Sequence, residues 1–268
     1  MKLGMSLYTY GADLHAGRIS TEDAIRHAAS LGCDGIELIG EQHFSAYPDI
    51  LEEGSRLRAL TASLGMEILC YSVYLNGMLR WDRETTFSEY VDMAVRAIAA
   101  TSHLGCRILR PAFYAEPVQS LIELVQACLP ALESYDVIWG VELHAPFHPM
   151  HYKAALDAVA SPRFRLIPDF SCWARNGLPD RFMDAGLDTF QALTPYMVHC
   201  HAKSHRFDEN GEDPNTPYRE LLAILRKNGF SGSVVCEYEG WLQDDVPYSS
   251  LKNAVRHFAL LERYGRKQ

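Results

Sequence analysis

An apolar run, a polar loop and an amphipathic stretch follow one another about eight times along this chain. The runs are KLGMSLY, CDGIELI, MEILCYSVY, CRILRP, WGVELH, RLIPDF, MVHCHAK and SVVCEYE. Strands alternating with helices favour a parallel sheet, because every parallel crossover needs an element that carries the chain back. Eight such units close a parallel α/β barrel of the (β/α)8 type, and 268 residues is an ordinary size for one. Helices are expected over 21–31, 47–64, 85–104, 117–135, 150–160, 181–193, 217–227 and 247–264. Ser20, three residues before Asp23, is a capping pattern for the first of them. Gly32, Gly65, Gly105 and Gly229 follow helix ends and supply the left-handed conformation that stops a helix. An open doubly wound sheet is the competing architecture. It normally carries a glycine-rich phosphate loop after its first strand, and YTYGADLHAG matches G-x-G-x-x-G poorly. No linker or change of composition divides the chain, so a single domain over 1–268 is expected.

Hydrophobic residues make up 48% and charged residues 22%, enough to bury a full core. The formal net charge of −9 argues against a nucleic-acid partner, since phosphate contact wants a basic face. The first residues lack the apolar core of a signal peptide, and no stretch is long enough to span a bilayer. Seven cysteines are dispersed without a C-x-x-C pair, which fits reduced thiols in a cytoplasmic protein.

The last four runs each end in a side chain able to bind a metal. They carry Glu142 and His144, Asp169, His199 and His201, then Glu237 and Glu239. In a parallel barrel the strand ends share one mouth. Residues two apart on a strand share a face, so His199, His201 and Lys203 point together, as do Glu142 and His144. Two Glu, one Asp and one His form an oxygen-rich set suited to a hard divalent cation, Mn2+ above all, with Mg2+ or Co2+ as alternatives. A lone carboxylate at a strand end is more often a cap or half of an ion pair. That plainer role is expected for Asp34, Glu41 and Glu239. Burying Glu142, Asp169, His201 and Glu237 together without a cation would be costly.

These motifs carry a family resemblance. LGCDGIEL, VELH, PDFS, HCHAKS and NGFSGSVVCEYEG resemble the xylose isomerase-like barrels of sugar isomerases and epimerases, whose relatives include metal-dependent AP endonucleases. The resemblance spans the chain. It implies that Glu142, Asp169, His201 and Glu237 are the metal ligands. Three departures stand out. Cys172 occupies the place of a histidine after the sixth-strand Asp, and Ser204 that of an Asp after the seventh-strand Lys. The third and fourth runs end in CYSVY and LRPAF, without the histidines of a trinuclear nuclease centre.

Chemistry of this kind removes a proton next to a carbonyl and stabilises the resulting enediolate. In the epimerases resembled, the two ligand glutamates, here Glu142 and Glu237, double as acid and base. Isomerisation or epimerisation of a ketose or oxo-sugar is therefore the first expectation. His144 supports a second, since an imidazole beside a metal-binding Glu is a competent base. Glu-Leu-His followed by PDFS resembles barrel lyases that cleave 3-oxo-glycosides by β-elimination. A non-catalytic sugar-binding barrel is the third. Substrate contacts are expected from His199, Lys203, Arg110, Glu37, Trp173 and Trp241. Tyr8, Tyr74 and Phe113 are further stacking candidates, and Arg110 has Glu142 as an alternative partner. By analogy with such barrels, a homo-oligomer is expected.

Overall fold

A computed structural model describes residues 1–40, 50–75, 84–112, 118–144, 148–174, 185–240 and 249–266. Eight parallel strands run in chain order as β1 Lys2–Ser6, β2 Gly35–Ile39, β3 Glu67–Tyr74, β4 Ile108–Ala112, β5 Ile138–Leu143, β6 Phe164–Pro168, β7 His199–Ser204 and β8 Ser233–Tyr238. Each pairs in parallel with its sequence neighbour from β1 to β6, while β8 joins β1 to β7. Between β6 and β7 the ring is closed by two isolated bridges, Leu166 with Met197 and Asp169 with His201. The architecture is an α/β barrel of the TIM type.

Nine α-helices surround it among the described residues. They are α1 Gly11–His15, α2 Thr21–Ser30, α3 Ile50–Ser63, α4 Phe87–His103, α5 Val118–Ser134, α6 Pro149–Val159, α7 Leu187–Leu193, α8 Tyr218–Lys227 and α9 Ser250–Gly265. The capping pattern works as the sequence suggests. The Ser20 side chain accepts from the Asp23 N–H, and Asp23 reaches back to the Ser20 backbone. Thr86 and Glu89 repeat this box at α4. Gly32, Gly65, Gly105 and Gly229 all have positive φ. Of the helix expected over 181–193, residues 181–184 lie outside the described residues, Gly186 at φ 77° and ψ 142° is not helical, and α7 begins after it. Short 3-10 turns at Leu7–Tyr10, Phe170–Trp173 and Thr194–Tyr196 were not expected from the pattern.

Every strand is buried almost end to end, since one face meets the helices and the other fills the barrel. Trp139, Phe164, Phe190 and Leu225 belong to the core. Inside the barrel, Gly4 and Gly35 are register partners on β1 and β2. A Cβ on Gly35 would lie 2.6 Å from Leu69 Cγ and 2.3 Å from the Glu67 carbonyl oxygen. Glycine there makes room for the leucine, and an irregularity in the β2–β3 register follows at Ile36/Glu37. Polar side chains begin one layer higher. All seven cysteines are buried and free. No helix among the described residues is long and apolar enough to cross a membrane.

Candidate active site

The upper ends of seven strands deliver polar side chains to one mouth. Alternation along β7 stacks His199, His201 and Lys203 on the inner face, and β8 contributes Glu237, with Glu239 just beyond its end. β5 contributes Glu142, with His144 just beyond its end, and Asp169 follows β6. The Asp169–His201 bridge that closes the ring thus also sets two of these residues side by side. Arg110 comes from β4, Ser72 and Tyr74 from β3, and Glu37 from β2.

His201 is the hub. Its Nδ1 lies 2.6 Å from Glu142 Oε1 and 3.1 Å from Glu237 Oε2, and its Nε2 lies 3.1 Å from Glu37 Oε1. Burial by itself lowers the pKa of this imidazole. Glu37, Glu237 and Glu142 outweigh burial and push it well above the usual histidine range. The Arg110 guanidinium donates to Glu142 Oε2 and lies 4.9 Å from the centre of the Tyr74 ring. Burial would raise the Glu142 carboxyl, but Arg110 and His201 hold it well below the usual carboxylate range. The Lys203 ammonium lies 2.9 Å from Asp169 Oδ2, 3.3 Å from Glu239 Oε2 and 3.7 Å from Glu237 Oε2. Burial would lower its pKa, and Asp169 and Glu237 instead keep it well above the usual lysine range.

Glu239, for which the sequence suggested a plain structural role, belongs to this mouth. Besides Lys203 it meets His205 Nε2 at 3.4 Å and accepts from the Tyr8 hydroxyl at 3.2 Å. Its position two residues after Glu237, just past the end of β8, was the available signal. His144 is the more exposed imidazole, 27% accessible, with Nε2 3.8 Å from Asp169 Oδ2. His199 lies two residues deeper than His201. It is fully buried, its Nδ1 is 2.6 Å from Ser233 Oγ, and burial pushes its pKa down to about 3. Glu37 is also fully buried, below the rim rather than at it. Trp173 does not reach the mouth. It packs edge-on against Phe190, and its indole N–H donates to the Gly186 carbonyl at 3.0 Å. Cys172 is buried with its thiol 3.1 Å from the Leu143 carbonyl. Trp241, Phe113 and Glu41 lie outside the described residues. Asp34 keeps the structural role expected of it, accepting from the Leu3 N–H and pairing with Arg266.

The long polar loop after β7 is ordered. Ser204 Oγ donates to Asp213 Oδ2 at 2.6 Å, and Asp213 Oδ1 accepts from the N–H groups of Asn215 and Thr216. Asp208 Oδ1 caps the turn at Asn210 and Glu212 in the same way.

Charge decides what this mouth can hold. Five carboxylates, Glu37, Glu142, Asp169, Glu237 and Glu239, meet two groups that stay cationic at any working pH, Arg110 and Lys203. Among the described residues, only imidazoles supply further countercharge. Glu142, His201 and Glu237 offer one ligand atom each within 4.8 Å of one another, all buried. Asp169 Oδ2 and Glu237 Oε2 are buried without a directed hydrogen bond. The Lys203 ammonium pairs with both by charge, but it approaches Asp169 Oδ2 at 2.9 Å off the hydrogen-bonding direction and stays 3.7 Å from Glu237 Oε2, too far for a hydrogen bond. Orphaned, negatively charged oxygens beside an imidazole fit a hard divalent cation. Glu37, His199 and His201 form a second such group deeper in the barrel.

The xylose isomerase-like TIM barrel family model matches residues 25–256 of this chain. The chain belongs to that family. Among its relatives is a C-glycoside deglycosidase alpha subunit of Arthrobacter globiformis, 25% identical over 89% of this chain and 84% of the relative. A 3'-dehydrocarminate deglycosidase alpha subunit of Microbacterium is 24% identical over 90% and 88%. D-psicose 3-epimerase of Clostridium cellulolyticum, solved with D-tagatose, superimposes over all of both chains with a TM-score of 0.77 at 14% identity. At that identity the likeness speaks for the shared fold.

Proposed function

We propose that this chain cleaves glycosides whose sugar carries a keto group, by removing the proton beside that group and expelling the substituent on the anomeric carbon. For a 3-oxo-glycoside, the electron pair of the C2–H bond forms the C1=C2 bond. The bond from C1 to the leaving group breaks, and the departing group leaves with that pair and takes up a proton. His144 is the base. The observation that carries this reading is the engagement of Glu142: Arg110 donates to one carboxylate oxygen, and the other faces the proposed cation position beside His201 Nδ1, 2.6 Å away. A carboxylate tied at both oxygens is a poor proton acceptor, whereas His144 stands part-exposed at the rim beside Asp169. The deglycosidase relatives, aligned over most of both chains, support the same choice. Glu142, Asp169, His201 and Glu237 are the residues that hold a divalent cation, which when bound supplies positive charge for the keto oxygen. Lys203 adds a second, fixed positive charge at the same mouth. The relatives are named alpha subunits, and we extend to this chain a place in a larger assembly.

Ketose epimerisation is the second reading. Glu142 and Glu237 both reach His201 Nδ1, at 2.6 and 3.1 Å, from strands on different sides of the mouth, and would serve as the two bases. Both readings share the first proton transfer and differ in what leaves. The deciding assay offers the full chain, with Mn2+, a 3-oxo phenolic glucoside and separately D-psicose. Release of the phenol, lowered about 10²–10⁴-fold in His144→Ala, is expected. Phenol release that survives His144→Ala, or epimerisation of D-psicose without phenol release by the unaltered chain, would overturn the proposal.

A further inference from the structure

The His201 ring spans two levels of the barrel. Its Nδ1 faces up to Glu142 and Glu237, while its Nε2 faces down to Glu37 Oε1 at 3.1 Å. Glu37 is clamped in turn: the Ser72 hydroxyl on β3 donates to the same oxygen at 2.5 Å. Glu37 and Ser72 are both fully buried, so neither is placed to meet a sugar arriving at the rim. The other Glu37 oxygen is also buried and receives no hydrogen bond. From these contacts we infer that Glu37, held by Ser72, is a positioning residue for His201. It accepts the Nε2 proton and so fixes the ring with Nδ1 presented to the cation.

The physical reason lies in the two nitrogens of imidazole. A ring that ligates through one must carry its proton on the other, and the acceptor of that proton sets both the tautomer and the plane of the ring. A carboxylate below the histidine does this more firmly than a water, and adds negative charge that strengthens the ligand. Among the described residues, Glu37 is the acceptor that meets Nε2. His199, the neighbouring polar ring, crosses His201 edge-on with centroids 5.4 Å apart and has its own Nδ1 against Ser233. The inference rests on the proposed cation at Glu142, Asp169, His201 and Glu237. It assigns Glu37 to that centre through His201 instead of to a substrate hydroxyl.

The test titrates Mn2+ into the chelator-stripped full chain by calorimetry, with no sugar present. One ion per unaltered chain is expected. Glu37→Gln should bind the same single ion about 10–100-fold more weakly. Ser72→Ala, which removes only the clamp, should show a smaller loss in the same direction. Asp13→Asn is the control, because it disturbs a buried carboxylate whose partners are Ser250 and Arg18 and not the groups around His201. It should lower the melting temperature and leave Mn2+ affinity unchanged. If the unaltered chain binds no Mn2+, the cation reading fails and this inference with it. If the unaltered chain binds and Glu37→Gln binds within about twofold of it, the inference alone is overturned. An equal loss in Asp13→Asn also overturns it, by showing a general effect of destabilisation. Should Glu37→Gln not fold, unchanged affinity in Ser72→Ala overturns the inference in its place.

Discussion

At the scale of single residues, the mouth is governed by groups that could not be buried one at a time. Arg110 and Glu142 are each almost fully buried and bonded to one another, so each offsets the other's loss of water. Arg110→Met should cost about 3–5 kcal/mol by removing the guanidinium that offsets the buried Glu142 charge. Denaturant titration with and without Mn2+ checks this. The loss is expected to shrink when Mn2+ is present, because a bound cation replaces part of the missing charge. An equal loss in both conditions would count against a cation at Glu142. Glu239 obeys the same rule. Taken alone, a rim carboxylate is half of a surface pair; with Lys203, His205 and Tyr8 around it, it is part of the site's charge balance.

At the scale of elements, two contacts have measurable consequences. The first is the interior contact between β1, β2 and β3. Gly35→Ala drives a Cβ against the Glu67 carbonyl oxygen and Leu69, and backbone cannot yield as a side chain can. A loss of about 1–3 kcal/mol is expected from the denaturation midpoint. Adding Leu69→Ala should recover only part of it. The second is α9, which buries His257 against α8. The Tyr218 hydroxyl lies 2.8 and 3.0 Å from the carbonyls of Ala202 and Lys203, so it donates there and accepts from His257 Nε2 at 2.7 Å. Burial pushes the His257 pKa down from 6.5 to about 3. Above pH 6.5 the ring is neutral folded or unfolded, and its titration has no effect on stability. Below that the unfolded chain takes up a proton that the folded chain refuses. Stability should therefore fall by about 1.4 kcal/mol per pH unit from 6.5 toward 3 on account of this residue. His257→Gln should flatten that slope in melts between pH 7 and 5, and an unchanged slope would refute the assignment.

At the scale of the whole molecule, closure of the barrel and assembly of the site are one event. The Asp169–His201 bridge joins β6 to β7, so the two edges of the sheet meet where the charge is densest. Removing a bound divalent cation should lower the melting temperature. At Mn2+ concentrations about 100-fold above its dissociation constant, the stabilisation lost to a chelator is about 2.7 kcal/mol. A melt insensitive to chelator and to added Mn2+ would argue for a barrel that binds no metal. Much of this architecture was legible in the chain. The eight-fold alternation of apolar runs and amphipathic stretches set a parallel barrel, because strand and helix periods differ and parallel strands need crossovers. Ser20–Asp23 and the glycines after helix ends set boundaries, because capping is local chemistry. The inward stacking of Glu142 with His144, and of His201 with Lys203, followed from the two-residue period of a strand. Tertiary structure alone decided the rest. It turned Arg110 onto Glu142, dropped Glu37 beneath His201, drew Glu239 into the mouth and packed Trp173 on Phe190. Those outcomes depend on which strand ends become neighbours when the ring closes, and on how burial forces each charge to find a partner across strands far apart in sequence.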